Sequence, residues 1–212
     1  MSSSRLPQNP KFWRPDAKKV KIRKQLVTLV GTLLELQGVE KRGNVITLAG
    51  PNVLGSYQLF RPLLFRNMKS AENNRKVFKT QQAELAQNPK LSSKIELNFE
   101  NWFSLAKKEV QAKGVHFLDA DFCGTIEKNW NGMSDLHEII TQVNPTTKLM
   151  FLSVTHSCTR FPVLKDRESF FRIEIPRVWD SLGWRCSMNT YFKYQGGIKY
   201  PMYTSLYQFE RR

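Results

Sequence analysis

The chain has 212 residues, of which 41% are hydrophobic and 12% aromatic, and this composition excludes an intrinsically disordered protein. Its 33 Lys and Arg outnumber its 18 Asp and Glu, so the formal net charge is +15 at pH 7. A basic excess of this size favours binding to a polyanion, and we expect nucleic acid as a partner. A solubilising basic surface is the alternative explanation.

Membrane, secretion and metal-binding signals are not recognisable in the sequence. Charged residues interrupt every apolar window well before the ~18 residues needed to cross a membrane, and residues 1–5 lack the apolar core of a signal peptide. We therefore expect a cytoplasmic protein without membrane contact. Cys123, Cys158 and Cys186 lie far apart without CxxC or CxxH spacing, so neither a disulfide framework nor a metal site is predicted.

The N-terminal region divides into an arm and a helix. Residues 1–15 contain three Ser and three Pro, which indicates a basic and aromatic arm. From Asp16, a suitable N-cap, apolar residues recur at helical spacing as far as Leu33, and Gly38 is a suitable stop. No repeat or long linker follows, so residues 16–212 are expected to form a single domain.

Short apolar runs alternate with helical segments in the middle of the chain. The predicted helices cover 74–87, 102–112 and 135–143, and the predicted strands cover 44–49, 63–68, 94–99, 115–121 and 148–155. Residues 50–56 are expected to form a glycine loop. Strands that alternate with helices favour a mostly parallel sheet with helices on both faces.

The C-terminal region has a different pattern. Two aromatic-rich, strand-like runs, 184–194 and 200–209, flank Gly196 and Gly197 and predict an antiparallel hairpin at one edge of the sheet. The expected fold class is therefore α/β, with a mostly parallel sheet and a C-terminal antiparallel hairpin.

The segment most informative about function runs from Val115 to Thr125. Its apolar run ends in Asp119 and Asp121, one residue apart, and Phe122 follows directly. A buried strand that delivers carboxylates at its carboxyl end is typical of the ligand-binding edge of an open α/β sheet. An acidic strand end that caps the next helix is the alternative.

The order of these elements resembles the class I S-adenosylmethionine-dependent methyltransferases, whose sheet is Rossmann-like. The resemblance covers residues 44–210. Within that family, residues 119–125 are most similar to the Asp-x-Asp-Pro-Phe-Gly-Ser motif of the tRNA guanine dimethyltransferases, and residues 151–157 look like their next strand. Phe122 and Cys123 stand where that motif has Pro and Phe.

The resemblance implies roles for the residues at the end of this strand. Methyl transfer to a base amine needs a group that accepts the amine's hydrogens and a surface that holds the base flat. Asp121 would orient the amine or accept its proton, and Phe122 would stack on the base. Asp119 would contact the amino-acid moiety of the cofactor or brace the loop.

A second set of residues is implied for binding S-adenosylmethionine. Gly50 and Gly55 would let the backbone approach the methionine portion, and Glu72 would accept hydrogen bonds from the ribose hydroxyls. Asn98 and Glu100 follow the third predicted strand, where the family recognises the adenine amine. An ordinary turn at the glycines and a solvated helix-start acid at Glu72 are the alternatives.

Two clusters of side chains are candidates for holding nucleic acid. The N-terminal helix carries cations that suit phosphates, and the C-terminal hairpin interleaves cations with aromatic rings that suit unpaired bases. These residues are Lys18, Lys19, Lys21, Arg23 and Lys24 in the helix, and Lys193, Tyr194, Lys199 and Tyr203 in the hairpin.

The predicted function is methyl transfer from S-adenosylmethionine to a base amine of nucleic acid, with RNA favoured. The competing hypothesis is a methyltransferase-like subunit that has lost catalysis and serves in nucleic-acid binding or assembly. The replaced Pro of the motif motivates that alternative. A second protein subunit is a possible further partner.

Overall fold

A computed structural model describes residues 17–40, 42–121, 133–157, 170–195 and 201–212 of the chain. The helices are α1 (Ala17–Leu36), α2 (Val53–Phe60), α3 (Arg75–Ala86), α4 (Trp102–Glu109), α5 (Met133–Thr141) and α6 (Ile175–Ser181). The strands are β1 (Arg42–Thr47), β2 (Asn67–Ala71), β3 (Ile95–Asn98), β4 (Val115–Asp121), β5 (Leu149–Ser157), β6 (Trp184–Gln195) and β7 (Pro201–Arg211).

The strands form one seven-stranded sheet in the order β3-β2-β1-β4-β5-β7-β6. Strands β1 to β5 pair in parallel, whereas β7 is antiparallel to both β5 and β6. The predicted fold class, including the C-terminal antiparallel hairpin, is confirmed. The strand order reverses between β1 and β4, and ligands of open α/β sheets bind at the carboxyl ends of the strands at such a switch point.

Helices cover both faces of the sheet, as predicted. On one, which we call the α1 face, Leu26 and Val30 of α1 pack with Phe60 of α2 against strand residues such as Phe117 and Phe151. On the other, the α4 face, residues of α4, α5 and α6 pack against alternate residues of the same strands, including Leu118 and Leu152. Because side chains of a strand alternate between faces, odd-numbered residues of β4 lie on the α1 face and even-numbered ones on the α4 face.

Two predicted segments differ from the structure. Residues 53–60 form α2 instead of a loop, because Asn52 caps the helix by accepting the N–H of Gly55 at 2.8 Å. The second strand begins at Asn67, four residues later than predicted, because residues 61–63 form a 3-10 turn and Leu64 adopts a left-handed backbone with φ of 53°. The turn ends at Leu63, which is buried, so core packing explains why the segment predicted as a strand begins with an apolar residue.

Other predictions concern single residues or absent elements. His116 is a core histidine with a partner for each ring nitrogen: Asn44 N–H donates to its Nδ1 at 3.2 Å, and its Nε2 lies 3.1 Å from Ala112 O. Burial lowers the pKa of this imidazole. Cys186 is a free, half-buried thiol, whereas Cys123, Cys158 and the predicted N-terminal arm lie outside the described residues. No helix in the described part of the chain is long and apolar enough to cross a membrane.

Candidate active site at the carboxyl edge of the sheet

Buried polar side chains occupy the α1 face at the carboxyl ends of the central strands. Strand pairing places Asp119 of β4 between Thr47 of β1 and Ser153 of β5. The next level toward the edge contains Asp121, Thr155 and Thr204, in β4, β5 and β7. All six side chains are at most 5% exposed. Burying so many polar groups is costly unless they are paired, so this row marks a functional edge or a structural network.

Hydrogen bonds connect neighbouring strands within this row. Thr47 Oγ1 donates to Asp119 Oδ2 at 2.7 Å, directly across the switch point between β1 and β4. Thr155 and Thr204 share a hydrogen bond of 2.9 Å between their hydroxyl oxygens. Thr47, Thr155 and Thr204 were not among the predicted site residues. Each lies an even number of residues from a core residue of its own strand and therefore on the same face of the sheet, and this spacing could have identified them.

The two carboxylates pair with cations of α1. The Arg23 guanidinium donates to Asp119 Oδ2 and to Asp121 Oδ2, the latter at 3.2 Å, and Lys19 Nζ lies 2.8 Å from Asp121 Oδ2. The same guanidinium lies over the Phe60 ring, 5.3 Å from its centroid. Two buried negative charges are therefore balanced by two positive charges from a helix about 100 positions earlier in the chain.

The electrostatic environment separates the two acids. Burial raises the pKa of Asp119 above its usual range, and the nearby Asp121 adds to that effect while Arg23 and Thr47 oppose it. Burial also acts on Asp121, but the Lys19 and Arg23 charges outweigh it and lower the pKa of that carboxyl. Asp121 is thus held ionised and is a weak base.

One oxygen of Asp121 is unused. Its Oδ2 receives both cations, whereas its Oδ1 is buried without a hydrogen-bond partner within the described residues. Ser153 Oγ, on the same face, is also buried and unpaired there. Buried acceptors are almost always satisfied, so an orphaned carboxylate oxygen at a switch point suits a ligand that donates a hydrogen bond.

The ends of β2 and β3 bring two predicted cofactor residues together. Glu72 N–H donates to Asn98 O at 3.0 Å, so the two residues are neighbours at the carboxyl edge. Glu72 is 8% exposed, and burial raises the pKa of its carboxyl although Asn74 N–H donates to it at 2.6 Å. Asn98 Nδ2 is a buried donor without a partner among the described residues. Glu100 instead points to Lys108 Nζ, 2.7 Å away.

The predicted glycine residues lie in an internally satisfied segment. Gly50 has φ of 60°, and its carbonyl accepts from Gln81 Nε2 at 2.6 Å. Gly55 lies in the first turn of α2 against the side chain of Asn52, where an added Cβ would collide at 2.5 Å. Glu84 of α3 accepts the N–H groups of Val53 and Leu54 at 2.7 and 3.3 Å. This arrangement corrects the predicted open loop, because α2 is capped from within the chain.

The basic residues of α1 face two directions. Lys18, Lys21 and Lys24 are exposed, on the outer side of the helix. Lys19 and Arg23, also predicted to contact nucleic acid, turn toward the sheet and pair with the carboxylates, and their contact with nucleic acid stays a prediction. The helical period of 3.6 residues places positions 19 and 23 on one side of the helix, opposite the outer lysines.

The hairpin residues also separate by face. Tyr194, predicted to stack on an unpaired base, is 7% exposed on the α1 face, and burial raises the pKa of its hydroxyl to about 12. Lys193 and Tyr203 lie on the opposite face, beside Tyr191, which was not predicted. Strand alternation could have identified Tyr191, which lies two residues before Lys193. Phe122 and Lys199 lie outside the described residues.

Comparison with known proteins identifies the fold. No protein-family model and no curated protein matches this chain. Among solved structures, it is similar to a proposed RNA methyltransferase from Pyrococcus horikoshii, with a TM-score of 0.57, 14% identity and coverage of 96% of this chain and 90% of that one. It is also similar to M. jannaschii TYW2 in complex with AdoMet, with a TM-score of 0.57, 10% identity and coverage of 93% and 78%.

A third similar structure extends the range of substrates. Synechocystis magnesium protoporphyrin IX methyltransferase with bound SAM has a TM-score of 0.54, 10% identity and coverage of 95% of this chain and 88% of that one. The chain therefore has the Rossmann-like fold of S-adenosylmethionine-dependent methyltransferases, as its sequence predicted. The narrower resemblance to the tRNA guanine dimethyltransferases stays a prediction.

Proposed function

We propose that this protein transfers a methyl group from S-adenosylmethionine to a base amine of nucleic acid, with RNA as the favoured substrate. The observation that carries this proposal is Oδ1 of Asp121, a buried carboxylate oxygen that lacks a hydrogen-bond partner among the described residues and lies beside the switch point of a methyltransferase fold. An exocyclic amine donates the hydrogen bonds that this oxygen lacks.

The residues at the ends of β2 and β3 fit the proposed cofactor. Glu72 is a buried acid whose oxygens suit the two ribose hydroxyls, and Asn98 has an unused amide donor that suits a ring nitrogen of adenine. When bound, S-adenosylmethionine would supply an electrophilic sulfonium methyl group for transfer to an amine nitrogen, with the thioether sulfur of the cofactor as the leaving group. Gly50 would lie near the methionine portion, whereas the position of Gly55 inside α2 argues against a direct contact there.

The acids of β4 would have distinct roles toward the acceptor. Asp121 remains ionised and is a weak base, which favours orienting the amine through a hydrogen bond over removing its proton. Asp119 accepts from Thr47 and Arg23, so we assign it the bracing role. Phe122 follows Asp121 directly, and we propose that it stacks on the base.

Charge and similarity support a nucleic-acid substrate. The net charge of +15 raises the local concentration of polyanions, and the exposed cations of α1 lie beside the carboxyl edge. Similar folds include a proposed RNA methyltransferase and, from Streptococcus pneumoniae, a proposed tRNA (m1A22) methyltransferase. RNA offers single-stranded bases whose amines are accessible without opening a duplex.

Calorimetry with S-adenosylmethionine and a labelled-methyl assay test the proposal. We expect saturable cofactor binding and incorporation of label into one of three pools, tRNA, rRNA or DNA. A folded sample that fails to bind the cofactor at millimolar concentration would remove the enzyme hypothesis. Cofactor binding without label in any nucleic acid would place the substrate in another class.

Replacing Glu72 by Gln should weaken cofactor binding while stabilising the fold. Loss of charged hydrogen bonds costs about 1.5–3 kcal/mol, or roughly 10- to 150-fold in cofactor affinity. The raised pKa of Glu72 means that its ionised form opposes folding at neutral pH, so Glu72→Gln should unfold at an equal or higher temperature there. This gain should vanish below pH ~4.3, where the carboxyl is protonated in both folded and unfolded states. Calorimetry and thermal unfolding across pH measure both effects.

Neutralising the outer lysines of α1 should reduce nucleic-acid binding regardless of sequence. Each lost phosphate contact lowers the slope of log affinity against log salt by about 0.7–0.9, so Lys18, Lys21 and Lys24 changed to Gln should lower it by up to about 2.5. The matched control changes Lys76, Lys79 and Lys90, which are exposed around α3. Equal slopes in wild type and the α1 variant would show that these lysines only solvate the surface.

A non-catalytic binding subunit is the second candidate, favoured by the capping of α2. Glu84 occupies the N–H groups of Val53 and Leu54, which leaves that helix end without donors for an anionic cofactor group. Lys19 and Arg23 also neutralise the acids of β4. Nucleic-acid binding without cofactor binding would support this candidate. If the protein needs a second subunit, methyl transfer should appear only after cell extract is added to the assay.

A further inference from the structure

Four side chains form an aromatic and cationic surface where β6 ends and β7 begins, beside the carboxyl end of β5. The rings of Tyr191 in β6 and Tyr203 in β7 form a stacked pair, with centroids 6.2 Å apart and planes 29° apart. Lys193 Nζ lies 5.8 Å from the Tyr203 centroid, and Arg172 Cζ lies 5.2 Å from the Tyr191 centroid. We call this set the tyrosine platform.

The tyrosine platform is partly exposed. Tyr191 is 38% exposed, Lys193 and Arg172 are exposed, and Tyr203 is partly exposed. It lies on the α4 face, because Lys193 pairs with Tyr203 and the core residue Tyr207 has the same alternation as Tyr203. Paired strands hold both rings in place, so little conformational entropy would be lost when a planar ligand stacks on them.

The tyrosine platform is close to the candidate active site. Asp121 pairs with Thr155, which in turn pairs with Thr204, the residue after Tyr203. Strands lie about 4.8 Å apart, so Tyr203 is roughly 10 Å from the Asp121 backbone, on the other face of the same edge. The exposed lysines of α1 flank this edge on the α1 face. A bound strand could therefore pass over the edge with cations on both sides.

We propose that the tyrosine platform binds an unpaired base of a single-stranded nucleic acid, next to the base that receives the methyl group. The rings would supply the stacking surface, and Lys193 and Arg172 would contact the flanking phosphates. This inference rests on the proposed nucleic-acid substrate. A purely structural role predicts something different, since a cross-strand aromatic pair would then stabilise the hairpin without affecting ligand affinity.

Fluorescence anisotropy with a labelled single-stranded RNA and a duplex of the same length tests the tyrosine platform. Loss of one stacking contact is expected to reduce affinity for the single strand roughly 5- to 150-fold in Tyr191→Leu, with less than about a 2-fold change for the duplex. Tyr191→Phe keeps the ring and should bind the single strand like wild type. Lys193→Met keeps both rings and should lower the salt slope by about 0.7, whereas Lys90→Met, an exposed control, should not.

The outcomes separate this inference from the proposed function. If Tyr191→Leu and Lys193→Met both bind single-stranded RNA as tightly as wild type does, the proposed role of the tyrosine platform is overturned. The methyltransferase proposal is not affected by that result. Equal losses of affinity for single strand and duplex in Tyr191→Leu would also overturn this role, because stacking requires unpaired bases. No binding of any nucleic acid by wild-type protein would overturn both. Calorimetric cofactor affinity and thermal unfolding verify that each variant is folded. If Tyr191→Leu does not fold, Lys193→Met provides the test.

Discussion

Methyl transfer by an Asp121→Ala variant is expected to fall by at least about 100-fold, while its cofactor affinity stays within about 2-fold of wild type. The reason is that we propose an acceptor contact at Oδ1, which has no hydrogen-bond partner among the described residues, whereas the proposed cofactor contacts come from the ends of β2 and β3. Rates at saturating nucleic acid and calorimetry with S-adenosylmethionine measure the two quantities separately.

Two further variants sharpen this test. Asp121→Asn keeps an acceptor oxygen but loses the charge, so it should retain part of the activity if the role is orientation. Ser153→Ala removes another unpaired oxygen from the same face and should remain active. Full activity of Asp121→Ala would show that the acceptor amine is held elsewhere, and loss of activity in Ser153→Ala would show that the whole row of polar groups is needed.

Removal of the Arg23 guanidinium is expected to be the most destabilising single change at this site. Within the described residues, Arg23→Met leaves the buried Asp119 without a salt bridge and Asp121 with one salt bridge, to Lys19, and breaking a buried ion pair typically costs about 3–5 kcal/mol. Since domains are stable by only about 5–15 kcal/mol, this loss should be large in urea unfolding at neutral pH.

A double variant identifies the cause of that loss. Asp119→Asn combined with Arg23→Met removes the unpaired charge together with its partner, so it should recover part of the stability lost in Arg23→Met. Arg185→Met is the matched control, because Arg185 is 64% exposed in its pair with Glu210 and should cost under about 1 kcal/mol. A loss in Arg23→Met no larger than in this control would mean that water already solvates the two acids.

Sequence periodicity was sufficient to predict much of the sheet. Strand and helix periods differ, so the alternation along residues 44–155 predicted the parallel sheet, and the aromatic hairpin was also predicted. The position of Asp119 and Asp121 followed from one strand, because an apolar run that ends in acids places them at its carboxyl end. Glu72 and Asn98 followed in the same way from the ends of their strands. These predictions depend on local order along the chain.

The segment after β1 shows where local reasoning failed. Glycines at 50 and 55 suggested a loop, but Asn52 caps α2 and Glu84 satisfies its first N–H groups from another helix. The apolar residues before β2 suggested an early strand, but Leu63 belongs to the core beneath α1. In both segments a tertiary partner, absent from any local pattern, decided the backbone conformation.

The sequence by itself determined the fold class, the net charge and the acids at the end of β4, because each depends on composition or on the period of one element. Only the tertiary structure decided how those acids are neutralised. Lys19 and Arg23 read as surface cations of a basic helix, yet they pair with carboxylates 96 to 102 positions away, since packing of α1 brings its inner side over the carboxyl edge. It also decided that Tyr191 is exposed and Tyr194 buried, because the irregularity between Cys186 and Met188 sets which residues of β6 face each helix layer.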